Sequence, residues 1–290
     1  MRSDRLLVLV LTRRCDRNCG YCPQGFDDAD MSEGVLDAAI DGLLPRLASP
    51  ARVKLFGGEP LLRPDLVGRA LARLAAVAPG TAVELPTHGK GLPAVESLLA
   101  RRPEVEVFVS RPHPWAARLR GVVHNFLIPP GEAPAMTARR LASARRLGYA
   151  RFNFLPAYFV AWTPAQLKGL SAAFAGLRLV LGRWAAAGRP VEVVNLSRRG
   201  STPLYNDGLV VDTDGEIYNS NLILADAVRP HRGRLRLGDV LNCGLLAARP
   251  AADVSQVLSD AFPAGILAST RAVDAALTEF CLSLPAGAAA

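Results

Sequence analysis

The chain of 290 residues has few lysines, few cysteines and no long apolar segment. Only Lys54, Lys90 and Lys168 are lysines, so the net charge of +8 comes almost wholly from arginine. Such an arginine bias, together with abundant alanine, is more typical of a GC-rich genome than of a binding surface. No nucleic-acid module such as a basic aromatic stripe or a zinc finger is visible, which disfavours a nucleic-acid partner. The positive balance still permits an acidic protein or peptide as partner.

The absence of a long apolar segment argues against a membrane-spanning protein. No stretch approaches the roughly 20 apolar residues that cross a bilayer, so no membrane partner is expected. The apolar run Leu6–Leu11 is too short for a secretion signal, and Arg13 and Arg14 stand where small cleavage-site residues belong. Five cysteines, three of them clustered, make no disulfide framework in a chain of this size. These absences predict a protein of the reducing cytoplasm.

The first two-thirds of the sequence alternates short β-rich runs with longer helical patterns, the rhythm of parallel strands with crossover helices. The predicted strands are Leu6–Thr12, Arg52–Phe56, Ala82–Pro86, Val105–Ser110, Val122–Ile128 and Ala150–Leu155. The predicted helices are Ser32–Ala48, Pro64–Val77, Leu92–Ala100, Thr137–Leu147 and Pro164–Ala187. Six such units predict an α/β fold with a curved sheet or a partial barrel, with residues 1–190 as its core.

Residues 191–290 form a small α/β extension in this interpretation, because the composition shifts after about Gly188. Its predicted elements are a strand at Val191–Leu196, a loop at Ser197–Asp207, a hairpin of Gly208–Val211 and Glu216–Tyr218, and a helical region over Ala252–Leu284. The segment Asp212-Thr-Asp-Gly215 between the hairpin strands lacks the further ligands of a calcium loop. It is therefore predicted to be a turn only.

Three cysteines directly after the first strand, Cys15, Cys19 and Cys22, carry the chemistry. Barrel-like α/β folds place their reactive groups at the carboxyl ends of strands, where this loop falls. Three thiolates on one short loop hold three corners of a cubane iron–sulfur cluster, and the absence of a fourth leaves one iron open to a substrate ligand. A structural zinc site is the alternative, but zinc takes four closed ligands and no fourth Cys or His lies nearby.

The motif Cys15-Asp-Arg-Asn-Cys19-Gly-Tyr21-Cys22, with an aromatic before the last cysteine, resembles that of the radical S-adenosylmethionine (radical SAM) superfamily. The resemblance covers residues 5 to about 190 and implies a partial (β/α)6 TIM-like barrel. It also implies one [4Fe-4S] cluster on the three cysteines, with S-adenosylmethionine chelating the open iron. A flavodoxin- or ferredoxin-type protein then donates the electron that cleaves the sulfonium. Cleavage gives methionine and a 5′-deoxyadenosyl radical, which removes hydrogen from a substrate.

A second segment, Phe56-Gly57-Gly58-Glu59-Pro60 at the end of the second strand, is similar to the GGEP segment of that superfamily. Two glycines let the backbone approach a ligand closely. Their carbonyls, with Glu59 beside them, are expected to accept hydrogen bonds from the ammonium group of S-adenosylmethionine, and charge-assisted bonds are the strong kind. A plain Gly-Gly turn before the proline is the alternative for this segment taken alone.

Further positions are assigned to the S-adenosylmethionine site by the resemblance. The residues assigned in this way are Tyr21 near adenine, Ser110 and Arg111 around the ribose and carboxylate, Asn125 in the barrel lumen, and Ile128 beside adenine. Asn153 is a second candidate for the lumen. A surface aromatic, a solvated arginine and simple core packing are the alternatives for these positions.

The third strand ends in Thr87-His88-Gly89, where members of the superfamily often carry Thr-Asn-Gly. His88 is therefore a departure from the pattern. A single histidine at such a position is more often a hydrogen-bonded structural residue than a ligand. We expect His88 to hold local structure.

The segment Gly208–Tyr218 resembles the hairpin that opens the cysteine-rich SPASM domain of peptide- and protein-modifying members. In those proteins a cysteine follows almost at once, whereas here Asn219-Ser-Asn221 follows. Only Cys243 and Cys281 remain downstream, too few for an auxiliary cluster. The extension is interpreted as a SPASM-like remnant without a cluster that closes the barrel over the substrate. Cys243 is a candidate hydrogen-atom donor to a substrate radical, with simple packing as the alternative.

These residues predict a single-cluster radical SAM enzyme that acts on a ribosomally made peptide or a natural-product intermediate. Two alternatives stay open. One is a radical SAM enzyme that modifies RNA or a nucleotide, which the arginines permit. The other is a non-catalytic iron–sulfur or zinc protein that uses the cysteine loop as a scaffold.

Overall fold

A computed structural model of the chain describes residues 5–48, 50–197, 208–242, 244–245 and 254–284. These residues form two compact units that interleave along the sequence. The first unit contains the described parts of Met1–Asn18, Gln24–Val107 and Pro203–Ala261. The second unit contains the described parts of Cys19–Pro23, Phe108–Thr202 and Phe262–Ala290. Most of the predicted loop at Ser197–Asp207 lies outside the described residues.

Strands and helices alternate along the chain, which confirms the α/β class. The strands are β1 (Leu6–Thr12), β2 (Arg52–Gly57), β3 (Ala82–Thr87), β4 (Val105–Val109), β5 (Val123–Ile128), β6 (Arg151–Pro156), β7 (Glu192–Val193), β8 (Leu209–Val211), β9 (Glu216–Tyr218), β10 (Arg236–Asp239) and β11 (Gly244–Leu245). The helices are α1 (Glu33–Leu43), α2 (Pro64–Val77), α3 (Glu96–Leu99), α4 (Pro134–Arg146), α5 (Pro164–Ala186), α6 (Val194–Ser197), α7 (Val254–Ala261) and α8 (Ala264–Leu282). In the described part of the chain, no helix is long and apolar enough to cross a membrane.

The helix ends follow local sequence signals. Ser32 caps α1 by accepting a hydrogen bond from the backbone N–H of Val35, as its position predicts. The helix ends at Leu43 rather than at the predicted Ala48, because the next turn is a 3₁₀ turn, Leu44–Arg46, that contains a proline. Proline lacks the backbone N–H that a continued helix needs.

The first unit contains strands in the order β11-β10-β9-β8-β1-β2-β3. Strand β1 pairs in parallel with β2 on one side and with β8 on the other. Its residues from Leu7 onward are buried, as a strand with two neighbours requires. The turn between β8 and β9 is confirmed: the Gly215 N–H donates to the Asp212 carbonyl, and Gly215 has a φ of +89°. The hairpin thus extends the sheet at β1.

The second unit contains the end of β4 and the parallel strands β5, β6 and β7. The predicted strand Val191–Leu196 is wrong beyond Val193, where α6 begins. The side chain of Asn195 causes the change. Its amide accepts from the backbone N–H of Phe154 (2.7 Å) and donates to the Phe154 carbonyl (3.0 Å), in place of further strand pairing.

Candidate active site

The cysteine loop starts directly after β1, and its three cysteines are half-buried. The backbone N–H of Cys22 donates to the Cys19 carbonyl (2.8 Å), which makes a tight turn. Tyr21 lies in this turn. Burial and then the side chain of Cys19 raise the pKa of Tyr21, while Arg111 acts in the opposite direction. Tyr21 and Arg111 are both assigned to the S-adenosylmethionine site. In the second unit they lie close enough for the charge of Arg111 to affect the pKa of Tyr21.

Two adjacent arginines fix the start of the loop in the first unit. Arg13 donates from Nε (3.0 Å) and Nη2 (2.5 Å) to the buried carboxylate of Asp212. Arg14 makes the same forked contact with Asp30, at 3.0 and 2.7 Å. Burial alone would raise the pKa of Asp30, but hydrogen bonds from Thr12 and Arg14 help to hold it below its ordinary value. The ion pairs of these two arginines thus fix the backbone at the start of the cysteine motif.

The two glycines of the GGEP segment are required by close contact with the cysteine loop. A Cβ atom on Gly57 would lie 2.1 Å from the carbonyl oxygen of Thr12, and one on Gly58 would lie 2.3 Å from that of Arg14. Gly57 also has a φ of +144°. The N–H groups of Gly58 and Glu59 donate to these same two carbonyls, at 2.9 and 2.8 Å. No side chain fits between backbones this close.

Glu59 is 2% exposed, and its carboxylate joins the ends of β2 and β3. It accepts hydrogen bonds from the backbone N–H of Leu61 (3.1 Å), the hydroxyl of Thr87 (2.6 Å) and the backbone N–H of His88 (2.8 Å). A buried carboxylate with several donors is held in one orientation. Glu59 therefore positions the GGEP backbone, and its contact with a ligand stays a prediction.

His88 also contacts the cysteine loop, through Asp16. Its Nε2 lies 2.6 Å from one oxygen of Asp16, and the Nζ of Lys90 lies 2.7 Å from the other. The hydrogen bond from Lys90 is the main reason that the pKa of Asp16 is lowered to about 2. His88 is therefore hydrogen-bonded, as expected of a structural residue, and its role stays a prediction.

The chain matches no established protein-family model, but segments of it resemble known enzymes. A segment of 64 residues, 21% of this chain, is 44% identical to 20% of the probable GTP 3′,8-cyclase of Methanothermobacter thermautotrophicus. A segment of 91 residues, 30% of this chain, is 37% identical to 26% of the GTP 3′,8-cyclase of Streptomyces coelicolor. These matches thus span about a fifth to a quarter of the length of the curated relatives.

Solved structures share the fold over a greater length. Histidine-tagged anSMEcpe with bound AdoMet matches with a TM-score of 0.63 at 16% identity, over 81% of this chain and 75% of that one. Streptococcus suis SuiB bound to the precursor peptide SuiA matches with a TM-score of 0.55 at 10% identity, over 91% of this chain and 66% of that one. The local identity to two cyclases and the two motifs at neighbouring strand ends agree with the resemblance to the radical SAM superfamily, and the solved structures show a shared fold.

The cysteine loop carries the donor set of the cluster that the resemblance implies. Three half-buried thiols on one loop are the donor set of a cubane with one open iron, so Cys15, Cys19 and Cys22 would hold it. Among the described residues, no three His, Cys, Asp or Glu side chains are placed to hold a single metal ion. A cubane takes its thiolates one per iron, so three thiols that bind three different irons do not form a site for a single ion.

The other residues assigned to the S-adenosylmethionine site divide into exposed and packed groups. Ser110 and Arg111 follow β4 and are exposed, whereas Ile128 is 1% exposed at the end of β5. Asn125 and Asn153 face each other in register on β5 and β6, and the Asn153 amide donates to the Asn125 oxygen at 2.9 Å. The structure therefore brings the two asparagines together. The contacts of all five residues with S-adenosylmethionine stay predictions.

Two cysteines remain outside the cysteine loop, Cys243 and Cys281. Cys243 lies outside the described residues. Cys281 lies half-buried on α8, as predicted for an apolar terminal helix, and burial raises its pKa to about 11. A thiol with a raised pKa is a weak nucleophile, in keeping with packing.

Sequence reasoning missed the residues that hold the cysteine loop. Asp16 lies inside the cysteine motif, and Lys90 is one of three lysines and follows His88 by two residues. The positions of Asp16 and Lys90 in the sequence could therefore have indicated that they support the cysteine loop. The pairing of Arg13 with Asp212 had no such signal, because 199 residues separate the two partners.

Proposed function

We propose that the chain is an enzyme that cleaves S-adenosylmethionine reductively at one [4Fe-4S] cluster held by Cys15, Cys19 and Cys22. One observation carries the proposal: the GGEP backbone is hydrogen-bonded to the end of β1 at Thr12 (2.9 Å) and to the start of the cysteine loop at Arg14 (2.8 Å). The segment assigned to the cofactor is thereby fixed beside the loop assigned to the cluster. The protein works in the reducing cytoplasm, with a flavodoxin- or ferredoxin-type protein as electron donor.

The chain's own residues bind and orient the reactants. When bound, the cluster and S-adenosylmethionine supply the electron and the radical that removes hydrogen from a substrate. The carboxylate of Glu59 holds the GGEP backbone rigid, so that the carbonyls of Gly57 and Gly58 accept hydrogen bonds from the ammonium group. In the second unit, Tyr21 supplies a ring for adenine and Arg111 supplies a forked donor for a carboxylate.

The proposed substrate is a ribosomally made peptide or a natural-product intermediate. Support comes from the fold, which is shared with SuiB bound to its precursor peptide and with native anSMEcpe bound to the Kp18Cys peptide. A nucleotide is the second candidate, and the local identity to two GTP 3′,8-cyclases favours it. GTP added to the anaerobic assay separates the two. Faster formation of 5′-deoxyadenosine with GTP supports the nucleotide, and faster formation with a peptide encoded by a neighbouring gene supports the peptide.

The cluster assignment is tested by cysteine substitution in the full chain. Cys15→Ala, Cys19→Ala and Cys22→Ala are each expected to lose the iron–sulfur absorbance and 5′-deoxyadenosine formation, because each thiolate holds one iron. Cys281→Ala is the matched control and is expected to keep about four irons. Full iron and full cleavage in any of the three loop variants would contradict the proposal. An equal loss in Cys281→Ala would remove the distinction between the loop and the helix.

A further inference from the structure

Asp16, inside the cysteine motif, is bonded to two side chains from the end of β3. Nε2 of His88 and Nζ of Lys90 lie 2.6 and 2.7 Å from its two carboxylate oxygens. The His88 side chain is 9% exposed, whereas that of Lys90 is 69% exposed. One carboxylate, directly after Cys15 in the chain, therefore joins the cysteine loop to β3.

The hydrogen bonds of His88 fix which ring nitrogen donates. The backbone N–H of Lys90 donates to Nδ1 at 3.2 Å, so Nδ1 carries no hydrogen. Nε2 therefore carries the ring hydrogen and donates it to Asp16. The same nitrogen lies 3.3 Å from an oxygen of Glu59. One N–H group thus stands between the cysteine loop and the glutamate of the GGEP segment.

This link depends on histidine. The amide nitrogen of an asparagine has about the reach of Nδ1, so the asparagine often found here in the superfamily would end short of Asp16. Lys90 adds a full positive charge on the other carboxylate oxygen. The pair therefore offers one half-buried, directional bond and one exposed charge to the same acidic side chain.

We propose that His88 and Lys90 are positioning residues that clamp Asp16, hold the cysteine loop against the end of β3, and offset the negative charge of Asp16 beside the cluster. This inference rests on the proposed function, because it needs a cluster on the cysteine loop. It assigns to this chain a support that the cysteine and GGEP motifs do not contain.

The charge balance at Asp16 has a signature that packing alone does not produce. Net charge near an iron–sulfur cluster is one of the factors that set its reduction potential. Lys90→Gln leaves the charge of Asp16 without its counter-charge, which disfavours the added electron and lowers the potential. Asp16→Asn keeps an acceptor oxygen for His88 but removes the charge, which raises the potential. The two substitutions together cancel.

The test uses the full chain reconstituted anaerobically with iron and sulfide, and it measures the midpoint potential of the cluster by spectroscopic redox titration. We expect a lower potential in Lys90→Gln, a higher one in Asp16→Asn, and a value close to the wild type in the double variant. Lys168→Gln, an exposed lysine on α5, is the matched control and should leave the potential unchanged. Shifts in the same direction for Lys90→Gln and Asp16→Asn, or no shift in either, would overturn the proposal.

The positioning role of His88 has its own measurement, the rate at which a chelator removes iron. His88→Ala is expected to lose iron about 10- to 150-fold faster, the range that corresponds to one hydrogen bond to a charged group. His88→Gln keeps an N–H donor at the reach of Nε2 and should restore most of the wild-type rate. Equal loss in both variants would overturn the clamp. A wild-type protein that binds no iron would overturn the proposed function instead, so the two failures are distinguishable.

Discussion

The strand ends beside the cysteine loop in the first unit differ from β5 and β6 in the second unit in the side chains that pack against them. In the first unit, the strand ends beside the cysteine loop carry ion pairs, and the partners Arg13 and Asp212 are only 5% and 0% exposed. In the second unit, β5 and β6 instead carry rings on one face. The rings in contact, with centroids 4.7–6.1 Å apart, are those of His124, Phe126, Tyr149, Phe152, Phe154, Phe174 and Phe280.

The difference shows what each interaction does well. A forked ion pair has one good geometry, so it fixes where a backbone lies. Ring packing stabilises mainly through the area it buries and tolerates several arrangements. The ion pairs beside the cysteine loop therefore fix the position of that loop. The rings on β5 and β6 stabilise the second unit mainly through buried area. Substitutions in the two regions should therefore change the free energy of unfolding by different amounts.

Asp212→Ala is expected to have the largest effect. It leaves the guanidinium of Arg13 buried without its forked partner, and breaking a buried pair in this way costs about 3–5 kcal/mol. The free energy of unfolding, measured by urea denaturation of the full chain, should fall by that amount.

Asp37→Ala is the matched control for burial. Asp37 on α1 accepts the same forked contact from Arg69 on α2, at 3.0 and 2.6 Å, but its side chain is 28% exposed and that of Arg69 is 41% exposed. Water screens this pair, so its loss should cost about 0.2–1 kcal/mol. Similar losses in Asp37→Ala and Asp212→Ala would mean that burial does not decide the strength of these pairs.

Acid should weaken the second unit before the first. His124 is 1% exposed among the rings of the second unit, its Nδ1 lies 2.8 Å from the Val109 carbonyl, and burial lowers its pKa from 6.5 to about 4. Between these two values the unfolded chain binds a proton that the folded chain does not. Stability is therefore full above pH 6.5 and falls by about 3 kcal/mol as the pH drops to about 4. The free energy of unfolding measured from pH 7 to 4 checks this.

The carboxylates of the first unit respond at lower pH. The pKa values of Asp16 and Asp30 are lowered in the folded chain, so their contribution is lost only as the pH falls below their ordinary value of 3.8. His124→Phe should therefore flatten the stability profile between pH 6.5 and about 4 and leave the loss below pH 3.8 in place. An unchanged slope in His124→Phe would show that another group causes the acid sensitivity.

Much of the site could be predicted from the sequence, because its signals are local. The three cysteines and the GGEP segment each follow a strand. The alternation of strands and helices in the sequence predicts the bounds of those strands closely. Strand β1, for example, has the predicted bounds Leu6–Thr12. The predicted class of fold is confirmed for the same reason, since it depends on the order of elements.

The rest depended on contacts between distant residues. The need for glycine at Gly57 and Gly58 comes from the carbonyls of Thr12 and Arg14, which are visible only once β1 and β2 are in register. The sequence predicted a ligand as the reason for the glycines, whereas the structure shows the cysteine loop against them. The end of β7 likewise depended on a side chain, Asn195, that replaces strand pairing.

Asn195→Ala tests that polar link inside the aromatic unit and is expected to have the smallest effect of the three. It leaves the backbone N–H and carbonyl of Phe154 without their amide partner, and because both bonds are half-buried we expect a total cost of about 1–3 kcal/mol. Asn153→Ala is the control: it breaks a single bond between half-buried side chains, worth about 0.5–1.5 kcal/mol, and water can reach the Asn125 oxygen that remains. Urea denaturation of both variants gives the comparison. If Asn195→Ala costs no more than Asn153→Ala, then the Asn195 amide stabilises β6 no more than a single side-chain hydrogen bond does.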